Sequence, residues 1–375
     1  MAERWILQFC HCHYGPFLDV ARQYAALFRD SPYKVLTVYL TGAPDPAVEA
    51  GSASDEVIFL NYDSRAVAGL KLAAIHALRK IAASRDFALI IAHRAKPIYV
   101  ACLATSLPVI GVHHAFGDYK RMTRRWFAHA FRRRLTLLGV SDAVRDDIRR
   151  RLPSWPAERI ETLHNRLDVA ATRSALLPRA AARTTLGLPP DATVIANVGR
   201  LHPDKDQATL LTGFARALPH LPPDSLLVII GSGPLQDRLM AQAQALGIAE
   251  RTRFLGQVPQ AARLFVAFDL FVLSSDHEPF GMVLLEAMAA GVPVMATACG
   301  GAPEVVGQAD MLFPLRDAET LARKLAGHFA ADAGARAQIA AAEIQRLEAR
   351  FSDAAARRRF FALPMVRDIL GDARP

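Results

Sequence analysis

The chain has little of what would commit it to a membrane, a disulfide framework or a metal cage. Four cysteines serve 375 residues, too few for a disulfide scaffold and in keeping with free thiols in a reducing cytoplasm. The longest uncharged stretch, Pro97 to Val112, is broken by Pro108 and falls short of the roughly 20 apolar residues of a spanning helix. Met1 to Cys10 carries only a short apolar run behind Glu3 and Arg4, too little for a signal peptide. There is no low-complexity tail and no short-period repeat. The adjacent Cys10, His11, Cys12 and His13 look like a metal box. They continue an apolar run, however, and strand alternation would turn the cysteines to one side and the histidines to the other. A zinc site needs four converging ligands, and no second Cys/His cluster lies nearby. No metal is expected there.

What is present reads as a soluble globular protein, 52% hydrophobic and 22% charged, long enough for two domains with real cores. The formal charge of +9 permits a polyanionic partner: nucleic acid, an anionic membrane surface or a phosphorylated substrate. Much of it is concentrated in KRMTRRWFAHAFRRR, residues 120–134, with seven Lys/Arg and no acid. As a helix this segment would carry Trp126, Phe127 and Phe131 among the cations, a pattern suited to an anionic lipid interface. A solvated basic helix with its aromatics in the core is the alternative. No recognisable RNA-binding module accompanies it, so nucleic acid is not an expected partner.

Continuous apolar runs recur as WILQFC, KVLTVYL, EVIFL, FALIIAH, PVIGVH and LTLLGVS in the first half, and as TVIANVGR, LLVIIGSG, TRFLGQV, DLFVLSS, VPVMATA and MLFPL in the second. Unbroken rather than alternating, they suit parallel strands covered on both faces. Helix-length segments separate them, so the fold class is α/β with two doubly wound domains. The strandless, Ala-, Arg- and Pro-rich residues 169–192 read as a connector between domains at 1–168 and 193–352. Ligands of such sheets bind outside the carboxyl ends of the strands, which directs attention to the residues after each run.

In the second half, NVGRLHPDKD places Gly199, Arg200 and Lys205 after one strand, two cations that suit a diphosphate. Gly231, Ser232, Gly233 and Pro234 follow the next, a turn at which backbone can approach a ligand closely. It lacks the third glycine of a dinucleotide fingerprint and is not a Walker loop. In SSDHEPFGMVLLEAMAAGVPVMATACGG, Pro279 ends an extended stretch and Gly281 opens a helical run. The N–H groups around Phe280, Gly281, Met282 and Val283 would then be open to an anion. Glu278 and Glu286, eight residues apart, can flank one ligand.

This segment resembles the donor-site signature of the retaining glycosyltransferases of family 4, in which two carboxylates stand as E-x7-E, and the likeness runs over nearly the whole chain. GRLHPDK resembles that family's phosphate-binding loop, GSGP its glycine turn, and FLGQV, ending at Val258, the segment whose backbone contacts the base. LHNRLD, residues 163–168, resembles the end of the first domain, with Arg166 in place of the usual glycine. The resemblance implies the GT-B fold: two Rossmann-like domains facing across a cleft, an acceptor domain at 1–168 and a nucleotide-sugar domain at 193–352. It also implies that a last helix at about 353–375 packs back on the first domain. The implied reaction moves a hexose from a nucleoside diphosphate sugar to a hydroxyl with retention, UDP-hexose being favoured over ADP-heptose, GDP-mannose or a dTDP-sugar. Arg200 and Lys205 would hold the diphosphate, Glu278 would orient the sugar and Glu286 would accept from its hydroxyls.

The family places a cleft histidine near the reacting sugar. Here His113 and His114 end one strand and His93 another, with His114 favoured and His113 left open. Gly15, with His13 and Tyr14, would line the cleft floor. Neither a cofactor nor a metal is expected, and no Asp-x-Asp motif of the metal-dependent type is read in the donor site. With the basic stretch in the acceptor half, the implied enzyme is a cytoplasmic, peripherally docked transferase acting on a glycolipid such as lipopolysaccharide core. A transferase with a soluble acceptor, of the sucrose- or glycogen-synthase kind, and a non-catalytic nucleotide-sugar-binding protein are the alternatives. Oligomeric state is not legible.

Overall fold

Apolar runs without alternation bury both faces of a strand, and the chain satisfies them with two all-parallel sheets. The computed structural model describes residues 3–63 and 65–371. Two compact units divide the chain, Met1–Asn165 with Asp353–Pro375, and Arg166–Ser352.

In the first unit the strands are β1 (Arg4–Cys10), β2 (Tyr33–Tyr39), β3 (Glu56–Phe59), β4 (Phe87–His93), β5 (Val109–His113), β6 (Leu135–Gly139) and β7 (Ile160–Thr162), in the sheet order β3-β2-β1-β4-β5-β6-β7. Every residue of β4, β5 and β6 is buried, as expected of strands covered by helices on both faces. The order reverses between β1 and β4, whose carboxyl ends carry Cys10 and His93. The helices Asp353–Ala362 and Pro364–Leu370 belong to this unit. Phe360 packs edge-on against Phe28 at 5.5 Å, the Tyr33 hydroxyl donates to the Leu370 carbonyl at 3.2 Å, and Arg359 pairs with Glu161 at 2.9 Å.

In the second unit the strands are β8 (Val194–Val198), β9 (Leu226–Ile230), β10 (Thr252–Phe254), β11 (Leu270–Leu273), β12 (Val294–Thr297) and β13 (Leu312–Phe313), in the order β10-β9-β8-β11-β12-β13. The reversal falls between β8 and β11. Residues 169–192 carry two short helices, Val169–Ala175 and Arg179–Thr185, inside this unit. They are held there by Arg183, which is buried and donates to the Ala267, Pro189 and Asp269 oxygens. Asp269 in turn accepts from the Val194 N–H at 2.8 Å, at the start of β8.

Every apolar run of the sequence forms a strand. β7 is not among those runs, because three residues at a sheet edge, only two of them buried, leave no apolar run to detect.

Two positions generate tests. Gly231 adopts φ 139°, and a methyl group there would collide with the Gly199 carbonyl. Gly231→Ala should cost about 2 kcal/mol or more, measured as a lower urea midpoint. Gly187→Ala, at φ 64° with nothing within 4 Å of a new Cβ, should cost less. The second position is Glu343, buried on the helix Ala333–Phe351, where both carboxylate oxygens accept from the Val294 N–H at 3.1 and 3.2 Å. Burial raises its pKa to about 8 against the partial opposition of that N–H. The folded state then holds a proton that the unfolded chain releases near pH 4.5, so stability falls as pH rises through this window. Glu343→Gln should abolish that slope: relative to the native chain it gains up to roughly 2–3 kcal/mol between pH 5.5 and 7.5, read from urea unfolding at the two pH values.

Candidate functional site

The reversal between β8 and β11 in the second unit is the place where a doubly wound sheet opens a crevice for a ligand, and the two loops leaving those strands are tied to each other. After β8 the chain passes Gly199 and Arg200 and makes a short turn, Pro203–Lys205. It then enters the helix Gln207–Ala217 through Asp206, whose carboxylate accepts from the Thr209 N–H and hydroxyl. Gln207, fully buried, donates to the Arg200 carbonyl at 3.0 Å and fixes the loop from beneath. After β11, the Ser274 hydroxyl donates to the Lys205 carbonyl at 2.9 Å and the Asp276 N–H to the Asp204 carbonyl at 3.0 Å.

These ties bring Lys205 Nζ within 2.8 Å of Glu278 Oε2, which also accepts from the Ser275 hydroxyl at 3.2 Å. The Glu278 carbonyl accepts from the Gly301 N–H at 2.8 Å. Gly301 is required there, since a Cβ would stand 2.6 Å from the Pro279 carbonyl oxygen. Thr297 and Cys299 both donate to the Ser275 carbonyl. Sequence reasoning does not single out Ser275, Thr297, Cys299 or Gly301. The CGG turn after VPVMATA is the available signal, but what Gly301 supports is set by the tertiary contact. Arg200 stays exposed, its side chain 68% accessible and 3.3 Å from Asp204.

Asp204 and Asp206 flank Lys205 in the loop after β8, with the spacing of an Asp-x-Asp pair. Their carboxylates are engaged separately, Asp204 with His202 and Arg200 and Asp206 with the helix start at Thr209.

The glycine turns are stitched together at the same edge. Gly199 N–H donates to Ile230, Leu201 N–H to Ser232 and Gly231 N–H to Gly256. Gly233 is pressed against the Leu201 backbone, whereas a Cβ on Gly199 would meet nothing within 4 Å. That leaves an open approach beside Arg200. Pro234 is exposed and Val258 half-buried, two residues past Gly256. The helix Met282–Ala289 starts at Gly281, which adopts φ 97°; no side chain caps it and no acid occupies its first turn. Its first N–H groups, at Met282 and Val283, therefore keep their positive end for an anion. Pro279 is half-buried, Phe280 is buried against Phe351 at 5.7 Å, and Glu286 is half-buried one turn into the helix.

In the first unit the sequence leaves two histidines open, and their surroundings differ. His113 is buried with both ring nitrogens occupied, Nδ1 at 2.7 Å from Asp118 and Nε2 at 3.2 Å from the Tyr119 hydroxyl. It packs as a structural residue. His114 is half-buried, stacks on His93 and places Nε2 3.3 Å from His93 Nδ1. Burial, then the neighbouring His113 and Arg94, push its pKa down to about 3, so its imidazole is neutral at physiological pH. His93 is held lower than its ordinary value by burial and by His114, and its Nε2 is buried without a hydrogen-bond partner among the described residues.

His13 is corrected from a cleft contact to a packed residue. It is buried among Tyr14, Tyr39 and Phe59, with Nε2 3.0 Å from the Ala43 carbonyl. Tyr14 is exposed, and Gly15 caps the helix Pro16–Ala26 at φ 55° with open space where a Cβ would be. β1 stops at Cys10, and the four Cys/His side chains of residues 10–13 do not converge on one point.

The basic stretch forms the helix Met122–Phe131. The aromatics of this helix divide: Trp126 is 66% exposed, while Phe127 packs on Tyr99 at 4.9 Å and on Phe131 at 4.7 Å. Arg124, Arg125 and Arg134 are engaged by Asp118, Tyr119 and the Leu107 and Cys102 carbonyls. Arg132 and Arg133 are exposed. No described helix is long and apolar enough to cross a membrane.

With this geometry in view, residues 19–171 match the model of Glycosyltransferase Family 4 and residues 178–344 that of Glycosyl transferases group 1. A D-inositol 3-phosphate glycosyltransferase of Mycolicibacterium gilvum is 39% identical over 186 residues, 46% of this chain and 40% of that protein; the match thus spans less than half of that relative's length. The Anabaena protein HepE, solved in complex with UDP, superposes with a TM-score of 0.77 at 23% identity over 94% of this chain and 97% of its own. The lipopolysaccharide outer core galactosyltransferase WaaB superposes with a TM-score of 0.69 at 18% identity, over 95% and 98%. The two parallel sheets and their matched family segments place this chain among the family 4 glycosyltransferases of GT-B fold.

Proposed function

We propose that the protein transfers a hexose, with retention, from a UDP-hexose to a hydroxyl of a glycolipid acceptor. The observation that carries the donor half is the Lys205–Glu278 pair at 2.8 Å beside exposed Arg200, open Gly199 and the uncapped helix at Met282. A departing UDP carries its developing charge on the diphosphate. Arg200, Lys205 and the helix N-terminus supply fixed positive charge where that charge grows, which lowers the barrier without solvent reorganisation. Glu278, seated by Ser275 and Gly301, orients the sugar hydroxyls. The neutral imidazole of His114 accepts a hydrogen bond from the acceptor hydroxyl and positions it. In this reading the protein's own cations carry the electrostatic work and no metal takes part.

HepE holds UDP, which supports a uridine donor, and WaaB acts on the lipopolysaccharide outer core, which supports a glycolipid acceptor of that type. Exposed Arg132, Arg133 and Trp126 support docking on an anionic membrane. The inositol phosphate transferase relative favours a second reading, a soluble phosphorylated acceptor.

Measurements of UDP binding, sugar transfer and vesicle flotation test these assignments. UDP at 100 times its dissociation constant should stabilise the native chain by about 2.7 kcal/mol in a thermal-shift assay. Lys205→Ala should weaken UDP binding by about 10- to 100-fold, the range for a lost charge-assisted contact, while Glu278→Gln should keep UDP binding and lose transfer by at least about 100-fold. A Lys205→Ala chain that binds UDP as tightly as the native one removes the donor assignment. For docking, flotation with vesicles containing phosphatidylglycerol should fall at least severalfold in Arg132→Gln/Arg133→Gln, which breaks no side-chain bond among the described residues. Unchanged flotation would remove the membrane-facing role.

A further inference from the structure

The first unit contains a pocket of about 350 Å³ that the donor chemistry does not use, with Lys71, Lys96, Tyr99, Asp118, Arg121 and Arg124 among its lining residues. Its volume lies within the ~300–1,000 Å³ of small-molecule sites. Four of these side chains are cations against one carboxylate, and Asp118 is already shared between His113 at 2.7 Å and Arg124 at 3.0 Å. The side chains of Lys96 and Arg121 form no hydrogen bond or ion pair among the described residues. Lys71 starts from a left-handed backbone, φ 57°, which aims its stem across the face of Tyr99 with Nζ 4.8 Å from the ring centroid. Burial and the proximity of Lys96 lower its pKa. Cations gathered around a concave surface without matching acids repel one another, and an anion relieves that repulsion.

We propose that this pocket binds a phosphate group, held by Lys71, Lys96, Arg121 and Arg124, and that the phosphate belongs to the acceptor. Assignment to the acceptor rests on the transferase reading; anion binding itself does not. The pocket is lined by His113, the residue immediately before His114 at the end of β5. A phosphate anchored there places the rest of the acceptor at the same strand end as the proposed acceptor-positioning imidazole. Two sources share this chemistry, a soluble sugar phosphate and a phosphate-bearing lipid head group. Exposed Leu70 and Leu72 flank Lys71, and exposed Met122 follows Arg121, which offers apolar contact beside the charge.

The test uses the full chain, glycerol 3-phosphate as the free probe, and phosphatidylcholine vesicles with and without phosphatidic acid. The variant is Lys96→Ala/Arg121→Ala, which removes no side-chain bond among the described residues, with UDP-dependent thermal stabilisation as the control for folding. Saturable binding of glycerol 3-phosphate that drops at least tenfold in the variant, but not in Lys205→Ala, supports the pocket and a soluble source. Flotation that requires phosphatidic acid, without binding of the free probe, and that drops likewise in the variant supports the pocket and a lipid source. No binding of either probe by the native chain, or binding equal in the variant, overturns the proposal. If UDP fails to stabilise the native chain while phosphate binding still depends on Lys96 and Arg121, the transferase reading falls and the anion pocket stands.

Discussion

An ammonium and a carboxylate 2.8 Å apart, Lys205 and Glu278, hold together two loops whose residues lie 73 positions apart in sequence. Both side chains are largely removed from solvent, and a pair so placed is maintained only where other hydrogen bonds satisfy the remaining polar atoms. The surrounding structure supplies them. Ser275 donates to the same carboxylate oxygen, Ser274 to the Lys205 carbonyl, and Gly301 to the Glu278 carbonyl. Thr297 and Cys299 secure the Ser275 carbonyl in turn. The charged pair is the visible part of a network that runs from β8 through β11 to the turn after β12, and each member is positioned by a strand end.

That network exists because the sheet order reverses between β8 and β11. Adjacent strands whose connections depart to opposite faces leave a gap at their carboxyl ends, and the loops there are free to converge. The same reversal between β1 and β4 shapes the first unit. His93, the last residue of β4, and His114, the residue after β5, meet as stacked imidazoles. Burial selects their neutral form, because an imidazolium would lose its hydration there without gaining a carboxylate partner. His113 is tied by hydrogen bonds to Asp118 and Tyr119, so two neighbouring histidines of identical chemistry are held in different surroundings.

Some elements are legible because their signal is local. A run such as FALIIAH announces a strand buried on both faces, and β4 is buried at every residue. E-x7-E and GRLHPDK are recognisable as patterns whatever surrounds them. What escapes sequence reasoning is non-local or negative. β7 has too few residues to form an apolar run. His13 reads as a loop residue facing a ligand, yet the rings of Tyr39 and Phe59, from β2 and β3, close around it. The aspartates flanking Lys205 do not stand out as a pair, and only their partners, Asp204 with His202 and Asp206 with Thr209, separate them. The cationic pocket draws on Lys71, Lys96 and Arg121, which belong to three different segments and form no motif.

By itself the sequence determined the α/β class, the run of parallel strands and the residue types at their carboxyl ends, since burial periodicity and short spacings are properties of contiguous residues. Tertiary structure decided which of those residues meet. It paired Lys205 with Glu278, enclosed His113, left His114 half-buried and stacked on His93, packed Phe127 while exposing Trp126, and gathered cations from separate segments around one pocket. The physical reason is that charge pairing, desolvation and ring packing act over a few ångströms of space, and distance along the chain says little about distance in space until the sheet order is set.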